Sequence, residues 1–493
     1  MNGWRDIISA ARRPAKAFAA ALDDPEAAQR DLLSSIIAAN AHSQFGTRHG
    51  FPRIRTWEDF KEAVPIRTYA EMAQLIGRSA AGEPGVLTTE PVIAFEETGG
   101  SATGAKLIPL TAGSLDAFRR AVLPWLHDLA RRRPAIAQGL SYVAISPAMR
   151  QRRSTAAGVP VGVASDAVYL GDDLASAFVS LLAVPPQVSL AEGIEEWRVA
   201  TLAHLVSAED LAFVSVWSPT FFLDLIDALL VNAGDVSARI GRTHRQRLEC
   251  ALRSGRLDTA RLWARLDTIS CWADGTSAPY ARRLGELCPH AAIEAKGLFA
   301  TEAAMTLPWG ASRGCVPALA STFLEFVGGC GATRLAHQLI SGECYRIVIT
   351  TPGGLYRYDI GDVVRCTGYV SRSPVLVFEG RASLSSDLVG EKLDDVFATS
   401  VLAALRIPAV LHPRAGPKPH YELWVGCDGD AGEMGRRIEE GLCRNPQYAY
   451  ARRIGQLGPL VVVVKPNFQA EQNLASAMQG RRLGDIKPSA ILK

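Results

Sequence analysis

The chain has 493 residues, of which 48% are hydrophobic and 21% are charged. These are the proportions of an ordinary soluble globular protein, so a disordered chain, a collagen-like repeat and a coiled coil are excluded as the main state. Lys and Arg number 53 and Asp and Glu 50, a net charge of +3, which argues against a dedicated nucleic-acid-binding protein. At ~150 residues per domain, the length corresponds to about three domains, or to one large domain that carries a small one.

Nothing in the sequence indicates a membrane segment or an oxidising environment. No apolar run approaches the ~18 residues of a membrane helix, and residues 1–22 lack the continuous apolar stretch of a signal peptide. The nine cysteines are odd in number, lie at least 14 positions apart and form no C-x-x-C pair. We therefore expect a soluble protein of the reducing cytoplasm with no structural zinc.

Taken in chain order, the first predicted elements are helices. Polar residues separate apolar ones at a spacing of three to four over residues 17–41 and 57–76. A third helix is predicted to begin with Ser114 as its N-cap and to end at Arg133-Pro134. Its apolar stripe, which we expect to face the core, consists of Leu115, Phe118, Val122, Trp125, Leu126 and Leu129.

Short apolar runs then alternate with helical segments, which is typical of an α/β protein. Helices are predicted over 220–230 and 278–287. The arginine cluster within 239–256 is interpreted as a solvated helical face, with an acidic partner as the alternative. The predicted strands are 140–145, 211–217, 266–272, 321–327, 344–350 and 374–378.

The pattern changes near Gly380, so we predict a large domain over 1–379 and a small α+β domain over 380–493. The small domain is predicted to begin with a helix over Leu388–Leu405. Its other predicted elements are strands near 420–425 and 459–465 and helices near 431–441, 446–456 and 470–479.

The first segment that could carry chemistry is the glycine-rich stretch 97–106, ETGGSATGAK. Glycines allow backbone N–H groups to turn inward, hydroxyls add donors and lysine adds positive charge, which together suit a phosphate. The stretch is not a Walker A loop, because Ala105 stands where Lys is required. A plain surface loop is the alternative.

Three further segments are candidates, each with an ordinary alternative. In Thr301-Glu302 a hydroxyl beside a carboxylate could hold a phosphate oxygen and Mg²⁺, or the pair could simply begin a helix. Residues 353–365 could place an acidic residue on ribose hydroxyls and aromatic rings on adenine, or form a plain hairpin. The tail 484–488, with Lys487, could reach an active site or be solvated.

Taken together and in order, these segments resemble the adenylate-forming enzymes, and among them the GH3 family of acyl acid amido synthetases, which conjugate plant hormones such as auxin and jasmonate to amino acids. The stretch YRIVITT, followed by GLYRY and GDV, over residues 345–363 is similar almost residue for residue to the family's ELVVTT and GLYRYRVGDV. Further similar pieces are His49-Gly50-Phe51, Val64-Pro65-Ile66 with Tyr69, Phe323-Leu324-Glu325-Phe326 and Gly484 to Pro488.

The resemblance implies an α/β fold, with a large N-terminal adenylate-forming domain of mixed β-sheets flanked by helices and a small, mobile α+β C-terminal domain. Glu379 to Arg381 would form the hinge. The resemblance is to a bacterial-type member. Thr301-Glu302 stands where plant members have Ser-Glu, a change that resembles the wider adenylate-forming superfamily, and the chain is shorter than plant members, so their hormone-pocket residues cannot be mapped onto it.

The activity implied is an ATP-dependent ligase that adenylates a carboxylic acid and transfers the acyl group to an amine, expected to be an amino acid. Alternatives are a thioester ligase that uses coenzyme A or a carrier protein, a non-catalytic nucleotide-binding module and a scaffold for acidic partners. The implied cofactors are ATP and Mg²⁺; no nucleic-acid or membrane partner is expected. The implied nucleotide-binding residues are Thr98, Gly99, Gly100, Ser101, Thr103, Gly104, Lys106, Tyr358, Asp362 and Arg381. The implied catalytic residues are Lys487, Glu302 and Thr301, with Mg²⁺ on Glu302.

Overall fold

The structure is a computed structural model. It describes residues 3–98, 106–143, 153–163, 166–253, 255–312, 314–382, 385–427, 429–478 and 486–492.

The helices are numbered in chain order. They are α1 (Gly3–Asp23), α2 (Pro25–Ala39), α3 (Gln44–Arg48), α4 (Trp57–Ala63), α5 (Tyr69–Ala80), α6 (Ala112–Arg132), α7 (Asp172–Leu181), α8 (Ile194–Ser207), α9 (Pro219–Val231), α10 (Ala233–Arg239), α11 (Arg242–Leu252), α12 (Thr259–Leu262), α13 (Ala278–Leu287), α14 (Asp395–Leu402), α15 (Ala431–Leu442), α16 (Pro446–Arg453) and α17 (Phe468–Met478). Short 3₁₀ turns lie at Phe51–Arg53, Pro134–Gln138, Asp166–Leu170, Pro186–Leu190, Gly275–Ser277, Ala336–Gln338 and Ala403–Leu405.

The strands are numbered in the same way. They are β1 (Ala94–Thr98), β2 (Lys106–Leu110), β3 (Leu140–Val143), β4 (Arg153–Ser154), β5 (Pro160–Val161), β6 (Leu211–Ser215), β7 (Thr268–Cys271), β8 (Ala292–Ala295), β9 (Thr306–Pro308), β10 (Cys315–Pro317), β11 (Phe323–Val327), β12 (Thr333–Arg334), β13 (Cys344–Thr350), β14 (Tyr358–Val370), β15 (Ser373–Arg381), β16 (Ser385–Ser386), β17 (Leu393–Asp394), β18 (Ala409–Arg414), β19 (His420–Val425) and β20 (Val461–Val464).

Parallel and antiparallel sheets coexist, which confirms the predicted α/β class with mixed sheets. Strands β3, β6, β7 and β8 form a parallel sheet in that order. An antiparallel sheet runs in the order β12-β11-β13-β14-β15-β10-β9. The hairpin of β1 and β2 extends through β5 to β4, β18-β19-β20 form a small mixed sheet, and β16 pairs with β17.

Separate hydrophobic cores lie against these sheets. The antiparallel sheet packs against α1 to α6 through side chains such as Phe60 and Phe323. The parallel sheet is covered by α8, α9 and α13, and Trp197 and Trp263 fill its core. A third core spans residues 393–491 around the sheet β18-β19-β20. Among the described residues, no helix has both the length and the apolar character needed to span a membrane.

Two of the predicted helices are each divided into two shorter helices in the structure. The predicted 17–41 helix is broken at Asp24, which caps α2 by accepting a hydrogen bond from Ala27 N–H (3.3 Å), with Pro25 in its first turn. The predicted 57–76 helix is broken at Val64-Pro65, and a new helix, α5, begins after Thr68. Proline explains both breaks, because it disfavours the helical conformation in the residue before it.

Two further predictions need correction. The N-cap of α6 is Thr111, whose hydroxyl accepts from Ser114 N–H (3.2 Å); the apolar stripe of that helix is largely buried as predicted. The predicted 388–405 helix begins only at Asp395. Ahead of it, the buried carboxylate of Glu391 accepts from the N–H groups of Leu388 and Val389 (2.8 Å each), which holds this segment as a loop.

Candidate active site

A cavity of about 2050 Å³ opens beside the carboxyl ends of the parallel strands. Its walls include side chains at the ends of β6 and β8, the β1-β2 hairpin and the tail 486–492. Ligands of open α/β sheets bind outside the carboxyl ends of the strands, so the cavity lies where such a fold places its substrate. Predicted site residues that line it are Thr98, Lys106, Thr301, Glu302, Arg381 and Lys487.

Asp362 and Arg381 form an ion pair across neighbouring strands. They are register partners on β14 and β15, and Arg381 Nε lies 2.9 Å from Asp362 Oδ1. Asp362 is fully buried, and its Oδ2 has no hydrogen-bond partner among the described residues. A buried carboxylate oxygen without a donor is unfavourable. Arg381 lines the cavity, whereas Asp362 is not among the described residues that line it.

Glu302 lies in a tight loop between Phe299 and Ala304, which form an isolated β-bridge. The helix-start alternative for Thr301-Glu302 is therefore wrong. Burial raises the pKa of Glu302; a backbone hydrogen bond and the charges of Arg381 and Lys487 oppose this shift, and Asp362 adds to it. The structure thus brings Glu302, Asp362, Arg381 and Lys487 into one electrostatic cluster.

The glycine-rich stretch is described only at its ends. Thr98 and Lys106 are register partners where β1 meets β2, so residues 99–105 connect two antiparallel strands. The Lys106 ammonium lies 5.2 Å from the ring centroid of Tyr69, another cavity residue. The predicted phosphate-binding residues Gly99, Gly100, Ser101, Thr103 and Gly104 lie outside the described residues.

The end of the chain is held in place over the described residues 486–492, where the Lys487 side chain is half-buried. Asp395 Oδ1 accepts from Ala490 N–H (3.0 Å), and Leu411 N–H donates to Ala490 C=O (2.8 Å). The hydroxyl of Thr276 donates to Pro488 C=O (2.8 Å). Lys487 Nζ lies 5.0 Å from the ring centroid of Trp272 and faces the cavity.

The segment 353–365, predicted either to bind the nucleotide or to form a plain hairpin, has a structural role. Strands β13 and β14 are antiparallel, so the segment does form a hairpin. Arg357, at a positive φ of 47°, is buried and pairs with buried Glu325 (Nε to Oε2, 2.9 Å). Tyr356 donates to Leu87 C=O (2.7 Å) in the core, and neither it nor Tyr358 is among the described residues that line the cavity.

Lys296 is a cavity residue to which the sequence analysis gave no role. It is 3% exposed and follows β8, and its ammonium donates to Ser215 Oγ (2.6 Å) and lies 4.5 Å from the ring centroid of Trp217. Burial lowers the pKa of this lysine to about 7. Its place directly before Gly297 was the available signal; its burial among aromatic rings depends on the tertiary structure.

The carboxylate of Glu302 is the part of this site that is compatible with Mg²⁺. Among the residues that the structure describes, no three His, Cys, Asp or Glu side chains cluster as a preformed metal cage. Mg²⁺ is commonly held through one or two carboxylates together with substrate phosphates and water. The single carboxylate of Glu302 fits that mode and does not fit a tightly held structural metal.

The architecture is that of the adenylate-forming enzymes. The chain superposes on the GH3.15 acyl acid amido synthetase with a TM-score of 0.82 at 19% identity, over 97% of this chain and 94% of that one. A 2-hydroxyisobutyryl-CoA ligase in its postadenylation state is a more distant match, with a TM-score of 0.55 at 13% identity, over 94% of this chain and 88% of that one.

Sequence comparison agrees with this class and identifies the family. Residues 14–254 match the GH3 family N-terminal domain, and residues 317–381 match the GH3 family central domain. The chain belongs to the GH3 family. Its relatives include a putative indole-3-acetic acid-amido synthetase of Oryza sativa subsp. japonica, 24% identical over 422 residues that cover 80% of this chain and 86% of the relative. An indole-3-acetic acid-amido synthetase of Arabidopsis thaliana is 24% identical over 434 residues, or 76% of this chain and 72% of the relative.

Proposed function

We propose that this GH3-family protein is an acyl acid amido synthetase. It uses ATP to convert a carboxylic acid into an acyl-adenylate with release of pyrophosphate, and an amine, expected to be an amino acid, then displaces AMP to give an amide. The observation that carries the proposal is the convergence of Glu302, Arg381 and Lys487 at one large cavity, in a chain of this family.

The described residues at and behind the cavity wall suit ATP. The unpartnered Oδ2 of Asp362 can accept from a ribose hydroxyl, and Thr98 and Lys106 flank the stretch proposed to receive the phosphates. Glu302 would hold Mg²⁺ beside those phosphates. Bound Mg²⁺ would supply charge neutralisation as negative charge gathers at phosphorus.

Lys487 would complete the adenylation site. As the carboxylate attacks the α-phosphorus, a preorganised cation beside both groups stabilises the transition state more than the ground state. The anchored tail holds Lys487 at the cavity, and its contact with Trp272 limits the freedom of the side chain. We propose that residues 380–493 form a small domain that excludes water from the adenylate.

The rest of the cavity would hold the acyl group. Its walls are rich in aromatic rings, which suit an apolar or aromatic acyl chain. These side chains include Phe118, Trp125, Phe213, Trp217 and Phe299. A cytoplasmic location is part of the proposal, since all nine cysteines are free thiols.

A pyrophosphate-release screen across carboxylic acids, followed by mass analysis with an amino-acid mixture, tests the proposal. We expect at least one acid to cause ATP- and Mg²⁺-dependent release, and an amide of that acid to form. An acyl-coenzyme A product formed in place of the amide would identify a thioester ligase. No release with any acid, despite ATP binding, would indicate a non-catalytic nucleotide-binding module.

Asp362→Ala provides the matched site variant. A hydrogen bond to a charged group contributes ~1.5–3 kcal/mol, so ATP affinity should fall about tenfold or more. The control is Asp31→Ala, which removes an exposed aspartate that does not line the cavity. An unchanged ATP affinity in folded Asp362→Ala protein would remove the ribose role from this residue.

A further inference from the structure

The aromatic cavity contains one buried polar corner. Lys296, Ser215 and Ser141 all line the cavity, and Lys296 is held between Trp217 and Trp125, with its ammonium 4.5 and 5.5 Å from the two ring centroids. An acyl pocket for purely apolar acids would not need this corner, because burying a charged or polar group is unfavourable unless it is paired.

The ammonium has donors to spare. The lysine ammonium carries three N–H donors, and the one hydrogen bond found for the Lys296 ammonium within the described residues goes to Ser215 Oγ. Within the same described ranges, no carboxylate forms an ion pair with Lys296; nearby Glu294 pairs with Arg132 (3.0 Å). Two donors therefore remain for a group that enters the cavity.

A hydroxyl on the same face of the sheet is also unpartnered. In the parallel sheet, Ser141 is the register partner of Phe213, and Ser215 follows Phe213 by two positions, so the three side chains lie on one face. Ser141 Oγ is buried and has no partner among the described residues. An oxygen-bearing ligand group placed beside Lys296 would be within the same polar corner.

Two tryptophan rings connect the polar corner around Lys296 with Lys487 of the electrostatic cluster. Lys296 contacts Trp217 and Lys487 contacts Trp272, and the centroids of these two tryptophan rings lie 6.1 Å apart. An acid whose reacting carboxylate lies near Lys487 could therefore run along the two rings and present its other end to Lys296.

We infer that Lys296, supported by Ser215 and Ser141, selects a bifunctional acid substrate, one that carries a second oxygen acceptor such as a carboxylate or a phenolic hydroxyl at the end away from the reacting carboxylate. The inference rests on the proposed function, because it assigns the acyl substrate of that site. Lys296 is thus a specificity residue and takes no part in the chemical steps.

The probes are 3-phenylpropanoic acid and its 4-carboxy and 4-hydroxy derivatives, which share the reacting end and differ only at the far end. Binding without ATP is measured at about pH 6, where Lys296, with its pKa of about 7, is protonated. The signal is quenching of tryptophan fluorescence, to which Trp217 and Trp125 contribute among the nine tryptophans; turnover is measured by pyrophosphate release. The variants are Lys296→Met and Lys296→Arg, with exposed Lys418→Met as the control.

We expect the wild type to bind at least one oxygen-bearing acid about tenfold or more tightly than the parent acid, the effect of one charge-assisted hydrogen bond. Lys296→Met should abolish this preference without weakening the parent acid, whereas Lys296→Arg should retain part of it and Lys418→Met all of it. The inference is overturned if the wild type binds the three acids equally, a comparison that needs no variant, or if Lys296→Met weakens all three alike. Binding that depends on Lys296, without pyrophosphate release, would support this inference and contradict the proposed function.

Discussion

At the scale of single residues, buried charges divide into those that the fold satisfies and those that it leaves available. Arg357 and Glu325 are both buried, and Trp57 Nε1 and the carbonyl of Val64 complete the pair's hydrogen bonds (2.9 and 2.8 Å). Asp362 retains an unpartnered oxygen among the described residues, and the Lys296 ammonium donates only to Ser215 Oγ there. An unsatisfied buried polar group is unfavourable for folding. We therefore propose that Asp362 Oδ2 and the Lys296 ammonium are retained for binding at some expense of stability.

Lys296 should make the stability of the protein depend on pH in a defined window. Burial lowers its pKa from 10.5 to about 7, so between these values the unfolded chain binds a proton that the folded chain does not. The free energy of unfolding then rises with pH across this window. Lys296→Met should therefore stabilise the protein most below pH 7, and this gain should shrink by up to about 1.4 kcal/mol per pH unit as the pH rises.

Denaturant unfolding at several pH values between 6 and about 10 measures this difference, with exposed Lys418→Met as the control. Cys271, the other titratable group that acts on Lys296, remains in both proteins. A stability difference that does not vary with pH would contradict the lowered pKa of Lys296 in the folded protein.

At the scale of elements, proline and hydrogen bonds to the backbone determine where segments begin and end. Pro25 and Pro65 end helical patterns that the apolar spacing alone carries further. The carboxylate of Asp395, in the first turn of α14, accepts from Ala490 N–H and so holds the end of the chain. The position of Lys487 thus depends on a helix that begins nearly a hundred positions earlier.

Lys487→Ala should affect the two half-reactions unequally. Loss of one oxyanion-type contact costs about 10²-fold or more in rate, so adenylate formation should slow by that amount, while amide formation from a supplied acyl-adenylate should barely change. Lys465→Ala is the matched control, because this lysine lies 4.2 Å from the ring centroid of Trp424 in the same region of the chain. Equal slowing of both steps, or of neither, would remove Lys487 from the catalytic residues.

At the scale of the whole molecule, contacts between α17 and the parallel-sheet region hold the C-terminal part in the observed arrangement. Asn473 donates to Asp224 Oδ2 (2.8 Å) and to Thr220 Oγ1 (3.3 Å), and Tyr280 donates to Gln469 Oε1 (3.0 Å). Burial raises the pKa of Asp224 to about 6, and the Asn473 hydrogen bond opposes this shift. These three hydrogen bonds join polar side chains, which suits a contact that forms and breaks during turnover.

Asn473→Ala should loosen this arrangement without unfolding the protein. Leaving a buried acceptor unsatisfied costs ~1–3 kcal/mol, so the amides of α17 should exchange with solvent about tenfold faster or more. Glu471→Ala on the same helix is the control, because Glu471 is exposed and pairs with Lys465, and exposed ion pairs contribute little. Exchange of α17 at the wild-type rate in Asn473→Ala would show that this contact does not hold the helix.

Much of the molecule follows from the sequence alone. The apolar runs predict β6, β11 and β13 because a strand buried between neighbours must be apolar along its length, and the order of motifs is enough to indicate the GH3 family. The sequence also indicates Asp362, Glu302 and Lys487 as candidate site residues, because each lies in a short contiguous motif.

Only the tertiary structure decided which side chains meet. Arg357 and Glu325, 32 positions apart, form a structural pair, whereas the motif around Arg357 suggested a binding role. Asp362 is covered by Arg381, 19 positions later, and Lys296 is buried by Trp217 and Trp125 from other segments. The physical reason is that apolar spacing and turn chemistry act between neighbours in the chain, whereas burial, desolvation and charge pairing depend on distances in space that no local pattern contains.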